Sequence, residues 1–306
     1  MYFIRWILLM QFGQYMLNYM VMQNTVLPLY IAFLARSGCH PTVRTYLNGV
    51  RVFYEMRGHP SPLAGSFGLT HLQKGLKRTR PGGSKRKLPI TLALLHVLVS
   101  TCNLDTPAGA AIACAAVIAF FAFLRKSNVT TGRSRSTSEF KNTLTAGNVW
   151  VDYPTYTLWI RLTCTKTIQF GERVLEIPIP GRQGSPIDPV ALWENHLRQS
   201  TLPRQASQPA FAYQQSQGGA WTYLSHSTFV AAVKTAAKSA GLDSARYAAH
   251  SFRRGGATFA ASCGASPDLI KAMGDWSSDA YQLYLCMQVQ TRQHAAHLMA
   301  TAAHGF

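Results

Sequence analysis

Carboxylates are what this chain has least of: twelve Asp and Glu stand against thirty Lys and Arg in 306 residues, a formal charge of +18. Fold stability does not call for such an excess, which favours polyanionic partners, nucleic acid first and an anionic membrane surface second. The same scarcity works against a two-metal nuclease, which needs several converging carboxylate oxygens. Glu172 with Glu176 and Asp275 with Asp279 are close pairs in sequence, but on different elements and without a nearby histidine cluster. Cysteine pairs are missing too. Cys39, Cys102, Cys114, Cys164, Cys263 and Cys286 are scattered without a CxxC, which argues against a zinc finger or a disulfide frame and fits a reducing compartment. No Walker loop and no dinucleotide fingerprint occurs.

Long apolar runs are few, and each has a globular reading. "AGAAIACAAVIAFFAFL" (108–124) is rich in small residues and ends at Arg125 and Lys126, so a buried core helix is expected rather than a membrane span. The start, "MYFIRWILLMQFGQYMLNYM", carries an arginine inside its run and polar residues at helical spacing, which predicts an ordinary first helix rather than a signal peptide.

Apolar spacing of three and four in "LPLYIAFLARSG" and "TVRTYLNGVRVFYEMRG" predicts a small helical bundle ending near residue 75. "KGLKRTRPGGSKRKLP" (74–89) then gathers Lys74, Lys77, Arg78, Arg80, Lys85, Arg86 and Lys87 around Pro81, Gly82 and Gly83. Such a stretch cannot build a core and reads as a linker whose cations track phosphates; it also reads as a nuclear import signal. Helical pattern resumes from "LPITLALLHVLVSTC". "WVDYPTYTLWIRLTCTKTIQFGERVLEIPIP" is β-rich and predicts an antiparallel sheet of two or three strands, stopping at Pro178 and Pro180, with Lys166 next to a turn. Two more helices follow, in "PVALWENHLRQS" and in "STFVAAVKTAAKSAGL", the latter with Ser227 as a candidate cap and Gly241 as its stop. The fold class is therefore mainly α with a small antiparallel β-sheet. The expected boundaries are a helical domain over 1–78, a basic linker over 79–88 and a larger domain over 89–306.

The last domain holds "HSFRRGGATFAASCGASPDLIKAMGDWSSDAYQLYL" (250–285), which reads as short helices punctuated by Gly264, by Ser266 and Pro267 as cap and first turn, by Gly274, and by Ser277 or Ser278 as a new start. On spacing alone this is compatible with a DNA-binding helix-turn-helix. The order of residue types over the second half says more: Arg125 in "FLRKSNV", Lys166 in "TCTKT", His250 and Arg253 in "HSFRR", Trp276 in "GDWSS" and Tyr284 in "YQLYL". This series resembles the tyrosine recombinase (phage integrase) family, and "GDWSSDAYQLYL" is closest to the recombinases of eukaryotic DIRS-type retroelements and Cryptons. The resemblance covers nearly the whole chain, since the first helices look like the family's core-binding domain.

That resemblance implies a site-specific DNA recombinase or integrase from a mobile element, which cuts and rejoins double-stranded DNA through a 3′-phosphotyrosyl intermediate without metal or other cofactor. Arg125 and Arg253 would neutralise the phosphate, two guanidinium forks suiting that charge. His250 would accept the tyrosine proton and Lys166 would protonate the leaving 5′ oxygen. Trp276 would donate one hydrogen bond, and Tyr284 would be the nucleophile, with Tyr281 one turn earlier as a packing residue. Arg254 reads as a backbone phosphate contact or a surface charge. Asn128 departs from the family, which often carries an acidic residue there. The implied assembly is a homo-tetramer on two DNA sites, with no membrane association, and with the tail "VQTRQHAAHLMATAAHGF" either docking on a neighbour or packing on its own domain. The implied location is the nucleus in a eukaryotic host and the cytoplasm or nucleoid otherwise. Two readings share this composition: a decayed or domesticated DNA-binding protein without catalysis, and a type IB topoisomerase-like nicking and closing enzyme.

Overall fold

The computed structural model describes residues 22–37, 42–78, 87–131, 142–165, 167–200, 205–216, 219–276 and 278–283. The chain divides into two compact units, Met1–Lys85 and Arg86–Phe306.

The first unit is helical. A turn of wider helix, Met22–Val26, leads into α1 (Leu27–Arg36), followed by α2 (Val43–Glu55) and α3 (Phe67–Arg78). Its core repeats one spacing: Leu27, Ile31 and Leu34 on α1 and Val43, Leu47 and Val50 on α2 form single stripes that bury against Leu69 of α3. The helix runs further than composition suggested. Lys74, Lys77 and Arg78, read as the start of a linker, belong to α3, where the exposed Lys74 and Arg78 stand one turn apart on one face. The predicted first helix, Arg80, Lys85 and Arg86 lie outside the described residues.

In the second unit, α4 (Leu92–Thr101) and α5 (Pro107–Phe121) start at the side-chain caps Thr91 and Thr106. Helix α5 is the apolar run of the sequence, and eleven of its fifteen residues are buried. Ala and Gly allow α4, α7 (Pro189–Gln199) and α9 (His250–Ser262) to crowd it, so the run is a core helix; no helix among the described residues is long and apolar enough to cross a membrane. After the one-turn α6 (Lys126–Val129) comes an antiparallel sheet of three strands in the order β1 (Val149–Asp152), β2 (Thr157–Leu162), β3 (Leu175–Pro180). Pro178 and Pro180 do not stop the last strand but lie in it, opposite Trp159 and Thr157. Among the described residues β3 has a neighbour on one side only, and prolines two apart leave their missing N–H groups on the same side of the backbone. A two-residue pairing of β4 (Tyr213–Gln214) with β5 (Trp221–Thr222) was not legible in the sequence. Helix α8 (His226–Ser239) is capped by Ser225, two residues before the expected Ser227, because Ser225 is the extended residue whose Oγ accepts from the Thr228 amide. Gly241 ends that region at φ +70°.

Helix α9 reaches its place through two glycines. A Cβ on Gly255 would lie 2.1 Å from the Ile90 carbonyl oxygen, and one on Gly256 2.0 Å from that of Phe120. The pair lets α9 sit directly on the entry to α4 and on the end of α5, bringing its first turn beside α6. Helix α10 (Pro267–Met273) follows, capped by Ser266, and a short turn Asp279–Leu283 carries Tyr281, which is buried with Trp276 against Phe123 and Ile270.

Candidate active site

Two left-handed residues shape the site. Phe123 (φ +50°) turns the chain sharply after α5 and places Arg125 at the N-cap of α6; Asp275 (φ +54°) does the same between Gly274 and Trp276. Positive φ at a non-glycine residue is uncommon and concentrates where the surroundings hold the backbone to a task. Both turns converge on the same arginines.

Arg253, the fourth residue of α9, is 3 % exposed. Its guanidinium donates to the Phe123 carbonyl at 2.6 Å and to the Gly274 carbonyl, and it lies 3.8 Å from the centroid of the Trp276 ring. It thus ties the end of α5 to the end of α10. Arg125 is nearer the surface. It donates to the Asp275 carboxylate at 3.4 Å and to the Asp275 carbonyl at 3.2 Å. Asn128, in place of the acid that the resemblance implies, closes the one-turn helix: its Oδ1 accepts from the Arg125 amide at 3.1 Å and its Nδ2 donates to the Asn142 carbonyl. The carboxylate that meets Arg125 comes instead from Asp275.

A cleft of about 500 Å³ opens above these groups, lined by Arg125, Lys126, Thr165, Gln169, Phe170 and His250 among others. His250 is the first residue of α9 and is exposed. Partial burial, then the charges of Lys126, Arg253, His226 and Arg125, hold its pKa below the ordinary 6.5. A helix N-terminus also disfavours imidazolium. His226, the first residue of α8, is lowered as well, by burial and by Lys126. Burial and Lys126 therefore push both histidines toward neutrality, and Arg253 and Arg125 add to this at His250, an environment that an entering phosphate would relieve.

Asp275 is the counterweight. Its side chain is 2 % exposed, and it accepts from Thr165 Oγ1 at 2.6 Å, from Thr167 Oγ1, and from Arg173 as well as Arg125. Burial opposes its ionisation, but the hydrogen bonds of Thr165, Thr167 and Arg173 and the Arg173 charge outweigh this, so its pKa lies below the usual aspartate value.

Of the six residues expected to carry chemistry, the structure brings Arg125, His250, Arg253 and Trp276 together; Lys166 and Tyr284 lie outside the described residues, as does the tail from 289 to 306. Lys87 and Arg254 meet elsewhere on the second unit: Lys87 donates to the Ala245 carbonyl at 2.6 Å, and Arg254 donates to the Lys87 carbonyl at 3.0 Å. Leu88 also bonds to Arg246, so 87 and 88 are fastened to the second unit rather than spanning freely. Sequence reasoning passed over Lys126, Arg173 and Asp275. For Asp275 a signal existed, a lone acid between a helix-ending glycine and the tryptophan in a chain poor in acids.

No protein-family model and no curated protein matches the sequence. Solved structures do. The chain is similar to the Tn1549 transposon integrase in complex with transposon right end DNA, with TM-score 0.55 and 15 % identity over 90 % of this chain and 84 % of that one. The same integrase with circular intermediate DNA gives 0.54 at 13 % identity, over 88 % and 83 %. XerH site-specific recombinase, bound to a palindromic difH substrate after cleavage, gives 0.51 at 16 % identity, over 72 % of this chain but 56 % of that one, so the chain spans little more than half of it. At these identities the likeness is one of fold. The chain has the tyrosine-recombinase architecture, helical with small antiparallel sheets.

Proposed function

We propose that the protein is a DNA strand transferase of the tyrosine recombinase type, a site-specific recombinase or integrase carried by a mobile element. The observation that carries the reading is the cleft itself: Arg125, Lys126 and His250 face one space, with Arg253 packed behind, on a fold shared with DNA-bound recombinases. A phosphodiester fits a site so rich in cations, and two guanidiniums beside one pocket suit charge that builds on nonbridging oxygens as phosphorus is attacked.

In this reading the Tyr284 oxygen attacks phosphorus and the bond to the 5′ oxygen breaks. His250, kept neutral by its surroundings, accepts the tyrosine proton, and Lys166 delivers one to the leaving 5′ oxygen. The phosphotyrosyl bond conserves the energy of the phosphodiester, so a 5′ hydroxyl from a second strand restores the DNA by the reverse steps. Trp276 supports Arg253 through its ring and offers its indole N–H to the phosphate. Lys74, Lys77, Arg78, Arg80, Lys85, Arg86, Lys87 and Arg254 hold backbone phosphates, and four copies act on two duplex sites.

Arg253 supports a second reading, DNA binding without strand transfer, because it is 3 % exposed, with its guanidinium packed on the Trp276 ring and bonded to two backbone carbonyls. Trapping decides between them. Nicked duplexes from the flanks of the protein's own gene, on which the cleaved strand loses its short end, should accumulate a denaturation-resistant adduct with the protein. Firm binding without an adduct, with an active recombinase succeeding alongside on its own site, would favour the second reading. Supercoil relaxation without sequence preference would favour a topoisomerase.

A further inference from the structure

We propose that Asp275 is the positioning residue of the site: through its buried carboxylate and its own carbonyl it fixes Arg125 and the hairpin residues on both sides of position 166. The proposal rests on the strand-transfer reading for its consequence, but not for its geometry.

A carboxylate 2 % exposed is costly unless it is bonded on all sides. Four side chains supply that here, and they come from places far apart in the sequence: Arg125 at the N-cap of α6, Thr165, Thr167 and Arg173 between β2 and β3, all meeting a residue just after α10. The main chain repeats the connection, since the Asp275 carbonyl accepts from Arg125 at 3.2 Å and from Thr167 Oγ1 at 3.4 Å. The hairpin is organised around the same oxygen. Thr165 Oγ1, which donates to Asp275, also accepts from the amides of Thr167 and Ile168, both at 3.1 Å, while the Thr165 amide donates to the Ile168 carbonyl. Lys166 is the residue between the two threonines in sequence, so the clamp grips the chain on either side of it.

The other partner is the arginine that lines the cleft. A guanidinium carries five N–H donors in a rigid plane, so fixing two of them on one residue orients the plane and leaves capacity for a phosphate. Asp275 lines no part of the cleft and lies behind Arg125 and Thr165, which do. Its role is therefore exerted through other residues. It is also the acid set among Arg125, Arg173 and their neighbours, and it lowers the positive field that a bound phosphate meets.

Asp275→Asn separates these effects from the fold. Asparagine tolerates the left-handed backbone about as well as aspartate and keeps one oxygen acceptor while losing the charge. With the nicked duplex as probe, the variant should form the adduct at least tenfold more slowly than wild type, yet bind the duplex as tightly or more tightly. A residue that merely held the fold together would lower rate and affinity together. Thr165→Val should slow wild type but cost little more in the Asp275→Asn background, because both remove one clamp. Hydrogen exchange gives an arm independent of activity: the Thr167 and Ile168 amides should exchange severalfold faster in Asp275→Asn. An unchanged adduct rate, a parallel fall in rate and affinity, or unchanged exchange at those amides would each overturn the proposal. If wild type forms no adduct, the strand-transfer reading fails and the exchange measurement alone decides whether Asp275 positions the hairpin.

Discussion

Among single residues, geometry and charge make separate demands on the cleft. Arg125 reaches Asp275 with one part of its planar fork, and a lysine has no second edge to turn toward a phosphate. Arg125→Lys should lower the rate of adduct formation by about 10²-fold with little change in affinity for duplex, as expected when a donor acts mainly in the transition state; single-turnover trapping beside a binding titration checks it. His250 supplies a pH signature. Its pKa lies below 6.5 because burial and the surrounding cations disfavour imidazolium, so the neutral, proton-accepting form prevails at pH 7 and is lost only as pH falls through that lowered value. The acid limb of kcat/KM for cleavage should therefore lie below pH 6.5, and a limb at or above it would remove His250 from the role of base. That Arg125, His250, Arg253 and Trp276 lie near one another was anticipated only through the resemblance of their order to the recombinase series. Asp275 was not, since its meaning comes from partners 102 to 150 residues away that only folding brings near.

At the scale of elements, the sequence announced helices well and their junctions poorly. Stripes such as Leu27, Ile31 and Leu34 are written in the spacing, and caps such as Ser266 with Pro267 in the residue types. The last turn of α3 was hidden because exposed cations such as Lys74 and Arg78 give it the composition of a linker. Pro178 and Pro180 looked like a stop because nothing local reveals that β3 is an edge strand. The Gly255 and Gly256 pair could not be interpreted without the backbones that approach it. Gly256→Ala should destabilise the second unit by roughly 1–3 kcal/mol, since the methyl would have to displace the Phe120 carbonyl. Thermal unfolding checks this, at about 2–4 °C of Tm per kcal/mol for a unit of this size. Because α9 carries both His250 and Arg253, cleavage should fall more than stability alone predicts.

For the whole molecule the dominant quantity is the +18 charge. Binding that rests on backbone phosphates weakens linearly in log affinity against log salt, with a slope of about −0.9 for each phosphate neutralised. Exchanging both Lys74 and Arg78 for Gln should make that slope shallower by about 1.8 without altering preference among sequences, if this face of α3 follows the backbone. What separates strand transfer from binding, however, is a covalent bond between one tyrosine and DNA. The most direct test is to isolate the adduct from a nicked duplex, digest the protein and identify the DNA-bearing residue by mass spectrometry, with Tyr284→Phe as the matched variant. Strand transfer by Tyr284 predicts a 3′-phosphotyrosyl link at that residue, a free 5′ hydroxyl on the released strand and no adduct from the variant. Attachment at another residue, or a 5′-phosphotyrosyl link, would contradict it.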